Sequence, residues 1–139
     1  MRNHEGSRID IVPLDSTGHH DRDLEDLLKL VYVGGGFTEP SLAETLFNGA
    51  SVRARGTVLV ARDDGDRLLG SVVVVPPGSP ACRFATTGEA ELHLLCVRPD
   101  QQGRGIGSAL VSAALDVARQ GGATRMILWT QPSMTVAQA

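Results

Sequence analysis

Cysteine is scarce in this chain: only Cys82 and Cys96 occur, with neither metal-ligand spacing nor the density of a disulfide scaffold. Reduced thiols are expected, and no metal is expected. Lysine is scarcer, Lys29 being the only one, and the net charge of -3 is spread over interleaved arginines and acids. That leaves no basic stripe to attract a phosphate backbone, so nucleic acid is not an expected partner. Long apolar runs are missing too. Charged residues, glycines or prolines interrupt each one before the roughly 18 to 20 residues that a membrane-spanning helix needs. The opening MRNHEGS lacks the apolar core of a secretory signal. A cytoplasmic protein with no membrane association is the expectation.

What is present is enough for one core. A length of 139 residues with 42% hydrophobic content suits a single domain over residues 1–139, with residues 1–7 expected to be disordered. RIDIVPL alternates apolar with polar as a half-buried first strand does, ending near Leu14. From Asp21, Leu24, Leu27, Leu28 and Val31 fall at helical spacing until Gly34, Gly35 and Gly36. A second helix is predicted from near Thr38, with Pro40 in its first turn and Ala43, Leu46 and Phe47 turned inward before Gly49. TVLVAR and RLLGSVVVV flank Asp63, Asp64, Gly65 and Asp66, the turn residues of a hairpin. ELHLLCV forms a further strand running into Pro99. A third helix begins around Gly105, with Ile106, Ala109, Leu110, Ala113, Ala114, Val117 and Ala118 on one face. TRMILWT supplies a last strand, and QPSMTVAQA can begin another helix. The order is β-α-α-β-β-β-α-β, an α/β (α+β) pattern.

The informative stretch is Cys96 to Leu110, CVRPDQQGRGIGSAL, where a strand passes through a glycine-rich turn into an amphipathic helix. The first N–H groups of a helix lack partners and the dipole is positive there, so phosphate oxygens are well accommodated. Gly103, Gly105 and Gly107 lack a Cβ and let backbone approach a phosphate closely. Glycines alone are also what an unliganded connection would show. A Walker loop needs Gly-Lys-Ser/Thr, and the only lysine is far away. A dinucleotide fingerprint fails at Ser108, and Trp129, Thr130 and Gln131 stand where its acidic residue would follow.

Gln102-x-x-Gly105-x-Gly107 resembles the Q/R-x-x-G-x-G/A acetyl-CoA signature of the GNAT N-acetyltransferases, and Val97, Pro99, Ala109 and Leu110 around it resemble the family pattern as well. The resemblance implies a mixed, mostly antiparallel central sheet flanked by helices. It implies acetyl-CoA as co-substrate, with the loop Gln102, Gly103, Arg104, Gly105, Ile106, Gly107 and Ser108 on the pyrophosphate. Leu95, Cys96 and Val97 would offer backbone groups to the pantetheine arm and the acetyl carbonyl, where a bulge commonly splays this strand from the next. Arg104 can add a cationic contact, or simply be solvated.

Transfer to an amine requires a neutral nitrogen and a proton for the departing thiolate. Glu91 and His93 lie two apart and share a strand face beside the expected acetyl position, so either can be the base. A glutamate on this strand, often acting through water, is what the resemblance favours. Cys96 as a covalent carrier lacks a Cys-His-Asp arrangement and reads better as an apolar filler.

Relatives commonly continue with a Leu-Tyr and Gly-Phe segment whose tyrosine protonates the thiolate. The chain ends at Ala139, and its only tyrosine, Tyr32, lies in the first helix. A truncated C-terminus would uncover one face and one edge of the sheet, which a homodimer can complete. The expected activity is acetyl transfer to a primary amine of a small molecule or protein. The alternative is a noncatalytic CoA-binding regulatory or interaction module.

Overall fold

The computed structural model describes residues 8–15 and 17–128. Among the described residues, five strands form one sheet in chain order: β1 (Asp10–Pro13), β2 (Thr57–Arg62), β3 (Leu68–Val75), β4 (Glu89–Val97) and β5 (Arg125–Leu128). The first three pairings are antiparallel and β4 with β5 is parallel. The mostly antiparallel sheet is therefore as the family resemblance implies. The residues expected to start a further helix, and the disorder expected over 1–7, lie outside the described residues.

Helices α1 (Asp21–Leu28), α2 (Pro40–Leu46) and α3 (Gly49–Arg55) cover one face, and α4 (Ile106–Gln120) covers the other. This explains β3, which is buried at all eight positions. A strand enclosed on both faces carries a continuous apolar run, here LLGSVVVV, rather than an alternation. In β2, Val58 and Val60 face the cluster built on α1, while Leu59 and Ala61 face α4.

The first helix continues past Leu28 as a π-turn, Lys29–Val33, which turns Tyr32 inward. The second helix begins at Pro40 as predicted, with Ala43 and Phe47 buried. Leu46, expected inside, is exposed. Gly49 does not end the helical region: it opens α3, a helix the sequence pattern misses. Asn48 caps it, its side-chain oxygen accepting from the Ser51 N–H at 2.9 Å, and Glu25 Oε2 accepts from the Gly49 N–H at 2.8 Å. Arg53 fastens α3 to the first turn of α1 through Asp21, Nη2 to Oδ1 at 2.7 Å. On α4 the buried row is Ile106, Leu110, Ala114 and Ala118 at i, i+4 spacing, with Ala109 exposed. Small residues in this row let the helix sit close to β3.

One polar clamp ties the loop before α1 to the β2–β3 turn. His20, 9% exposed, meets Asp15 Oδ2 through Nδ1 at 2.7 Å and Asp66 Oδ2 through Nε2 at 2.8 Å. Asp66, and after it Asp15, raise the imidazole pKa above 6.5. A raised folded pKa gives stability that is complete below the unfolded value and lost as pH rises through the folded one. The melting temperature is therefore expected to fall as pH is raised above about 6.5, the reference histidine value. In His20→Gln that descending limb should flatten. A wild-type melting temperature that does not fall over this range would remove the clamp from the stability of the fold.

Candidate active site

The strand β4 positions the site. Its face reverses at Leu94, which has φ of 54°. Opposite it the register with β3 shifts between Ser71 and Val73, so that two residues of β4 oppose one of β3. Before this bulge Ala90 and Leu92 face α4, while Glu91 and His93 face the α1 side; after it Leu95 and Val97 face α4 and Cys96 the α1 side. The bulge lies on the β3 side of β4, just before Leu95 to Val97, whereas the expected splay was of this strand from the next. The register of β4 with β5 within the described residues ends at Leu92 opposite Leu128.

Backbone at the bulge is held from the α1 side. Tyr32 Oη donates to the Leu95 carbonyl at 3.2 Å, a bond made possible by the π-turn. Burial pushes the Tyr32 phenol well above its usual pKa, so this hydroxyl remains protonated and fixes the carbonyl. Cys96 is buried against Ser71, Sγ to Oγ at 3.4 Å, and burial pushes its thiol up to about 11. A thiol held this way is an apolar filler, as expected, and not an activated nucleophile.

Glu91 and His93 share a face and are both buried, at 0% and 2% exposure. Glu91 Oε1 accepts from His93 Nε2 at 2.7 Å. Its Oε2 accepts from three consecutive backbone N–H groups: Arg83 at 2.8 Å, Ala85 at 2.6 Å, and Phe84. Burial alone would raise the Glu91 pKa, but these N–H donors and His93 together bring it down to about 2. Both carboxylate oxygens are thus engaged, Oε2 in holding the loop before β4 and Oε1 on the His93 ring. The other nitrogen of His93, Nδ1, faces Arg55 Nη1 at 3.1 Å. Burial first, then the charges of Arg55 and Arg83, outweigh Glu91 and lower the His93 pKa. The ring is consequently neutral, with the Nε2 proton on Glu91 and the Nδ1 lone pair toward the guanidinium. The sequence reading missed Arg55, because it lies on the unpredicted α3; Asn48 followed by small residues is the signal that points to this helix.

The predicted cofactor loop follows directly. After Val97 a short turn, Pro99–Gln101, leads to Gly103 at φ of 90° and Gly105 at φ of 79°, the residue immediately before α4. Positive φ at both is a conformation that glycine adopts readily. A Cβ placed on either would meet no atom within 4 Å, so the cradle is open toward solvent. No side chain caps the helix, and the N–H groups of Ile106, Gly107 and Ser108 have no carbonyl within it. Arg104 Nη1 donates to Gln101 Oε1 at 2.5 Å, and the Gln102 side chain is exposed. The donor set thus fits a diphosphate: open space, convergent N–H groups and a helix dipole.

Comparisons with known proteins agree with this arrangement. The family model described as "Acetyltransferase (GNAT) family" matches residues 22–139. A mycothiol acetyltransferase from Clavibacter sepedonicus is 34% identical over 104 residues, covering 75% of this chain and 29% of that protein. An uncharacterized N-acetyltransferase from Schizosaccharomyces pombe is 36% identical over 75 residues, covering 54% of this chain and 42% of its own length. The chain thus spans less than half the length of these two relatives. Among solved structures, a GNAT family acetyltransferase from Brucella melitensis in complex with acetyl-CoA superposes with a TM-score of 0.70 at 20% identity, covering 95% of this chain and 82% of the other. The aminoglycoside N-acetyltransferase AAC(6')-Iy in complex with CoA gives 0.70 at 22% identity, with 96% and 84% covered. At such identities the superpositions establish the fold. With an open, uncapped helix start after a bulged β4, and a family model matched from α1 onward, the chain belongs to the GNAT acetyltransferase family.

Proposed function

We propose that residues 1–139 act as one domain that transfers the acetyl group of acetyl-CoA to a primary amine. The observation that carries this reading is the uncapped start of α4, with Gly103 and Gly105 at positive φ, set one short turn beyond the bulge of β4. The open N–H groups from Ile106 to Ser108 would take the pyrophosphate, and the backbone from Leu95 to Val97 the pantetheine arm and acetyl carbonyl. Acetyl-CoA supplies a thioester carbonyl that an unprotonated amine can attack.

The ammonium acceptor first gives a proton to His93 Nδ1. Its nitrogen then forms the C–N bond as the C–S bond breaks, and the second nitrogen proton leaves with the thiolate as CoA-SH. Both Glu91 and His93 belong to this machinery, in different parts. His93 is the better proton acceptor, since its ring is neutral and its Nδ1 lone pair, held by Arg55 in this structure, can exchange that donor for the ammonium. Glu91, a carboxylate well below neutral pKa with both oxygens engaged, orients that ring and fixes its tautomer. Much of the acceleration would come from proximity at the bulge.

Two of the similar proteins are named for small molecules, as a mycothiol acetyltransferase and an aminoglycoside N-acetyltransferase, and a third, from Brucella melitensis, is named as a ribosomal-protein-alanine N-acetyltransferase. Acceptor classes of both kinds are thus open to this chain. Calorimetry with acetyl-CoA, followed by thiol release in the presence of a panel of amines, tests the reading. Binding with turnover is the expected result. Binding without turnover of any amine would instead favour a CoA-binding module, and no binding by the folded chain would overturn both.

A further inference from the structure

Arg55 closes α3 with its side chain half-buried, and its one hydrogen bond among the described residues goes to the neutral His93 Nδ1. A guanidinium has five N–H donors, so four remain without a protein acceptor among those residues. Arg53, Arg62 and Arg67 sit on the carboxylates of Asp21, Asp66 and Asp100, and Arg98 and Arg104 donate to the neutral oxygens of Leu68 and Gln101. Arg55 has no such ion pair among the described residues. The nearby carboxylate, Glu91, lies beyond the imidazole and already accepts from three backbone N–H groups and His93.

A second cation is brought to the same place by that same carboxylate. Glu91 anchors the backbone of Arg83, and the Arg83 charge acts on both Arg55 and His93. Burial first, and then Arg83, hold the Arg55 pKa below the usual arginine value. Arg83 thus adds its charge to the field at Arg55 and His93, on the α1 side of β4 immediately before the bulge. The donors that Arg55 leaves unmatched among the described residues suit an anion, since a guanidinium fork matches the paired oxygens of a carboxylate or phosphate.

We propose that Arg55, with Arg83 beside it, binds an anionic group of the acceptor, so that the amine acetylated here carries a carboxylate or a phosphate. This inference rests on the acetyl-transfer reading above. It also links recognition to proton transfer. An anion drawn onto Arg55 cancels the positive potential at His93 and turns guanidinium donors away from Nδ1, which leaves that lone pair available to the ammonium.

Thiol release from acetyl-CoA would be followed with matched amines: an amino acid against its amide, and an amino-sugar phosphate against the free amino sugar. The wild type is expected to favour at least one anionic member over its neutral counterpart by about tenfold or more in kcat/KM, and whichever pair shows it identifies carboxylate or phosphate. In Arg55→Gln that ratio should collapse toward one, chiefly through KM of the anionic member. Arg55→Lys should keep part of the preference, and Arg83→Gln should narrow it. Equal use of the members of both pairs by an active wild type, or a preference untouched in Arg55→Gln, overturns this inference and leaves acetyl transfer standing. A folded chain that fails to bind acetyl-CoA, or turns over no amine, overturns both.

Discussion

Gly105→Trp should abolish measurable acetyl-CoA binding in a chain that still folds. Gly105 precedes α4 at φ of 79°, and a Cβ there meets nothing within 4 Å. The added Cβ therefore displaces no protein atom. The indole enters the space in front of the Ile106, Gly107 and Ser108 N–H groups, where a pyrophosphate would sit. The folded state bears the cost of a left-handed conformation at a residue with a Cβ, about 1–2 kcal/mol. That corresponds to a drop of a few degrees in melting temperature for a chain of this size. The ligand loses both the space and the approach to three donors. A fall in affinity of at least ~100-fold, about 3 kcal/mol, is expected by calorimetry. A folded variant that binds within a few-fold of the wild type would place the diphosphate elsewhere.

The second large effect is expected at Glu91. Removing the carboxylate in Glu91→Ala leaves three buried or half-buried N–H groups, from Arg83 to Ala85, without their acceptor, and His93 Nε2 without its partner. Unmaking a buried charged cluster of this kind costs roughly 3 kcal/mol. At this chain length the melting temperature should fall by about 10 °C. Glu91→Gln retains an accepting oxygen and should lose less.

The acid limb of stability should change as well. The folded pKa of about 2 lies below the ordinary 4.5, so the contribution is present above 4.5 and is lost as pH falls toward 2. In Glu91→Ala the decline over that window should be shallower, the remainder coming from Asp15, Glu44, Asp66 and Glu89, whose pKa values are also depressed. An unchanged acid limb and an unchanged melting temperature would show that the loop stands without Glu91. Activity distinguishes its two roles. If Glu91 only holds the loop, Glu91→Gln keeps its kcat and pH profile; if it also orients His93, kcat falls and the profile shifts.

The geometry of the glycine-rich loop proposed for the cofactor was legible because it is local. Positive φ at Gly103 and Gly105, an uncapped helix start and an apolar face behind it are properties of a short contiguous stretch, CVRPDQQGRGIGSAL. Periodicity placed α4, though Ala109 lies outside its buried row. The acceptor half was only partly legible. Strand alternation placed Glu91 and His93 on one face, yet the sequence left their division of labour open. That division depends on what lies opposite. The N–H groups of residues 83–85 fold back onto Glu91, and Arg55 comes from a helix whose opening Gly49 reads as a stop.

By itself the sequence determined the order of strands and helices along most of the chain, the hairpin at Asp63 to Asp66, and the glycine-rich start of α4. All of these follow from dihedral preferences and apolar periods that neighbouring residues set among themselves. Tertiary structure alone decided that the Tyr32 hydroxyl reaches the Leu95 carbonyl, that Glu91 is saturated rather than open, and that Arg55 stands beside His93 without a carboxylate among the described residues. Each of these joins groups from separate elements, up to 63 positions apart for Tyr32 and Leu95. Protonation at such a site is set by the donors, charges and burial that packing assembles around it, and the order of residues along the chain does not encode those directly.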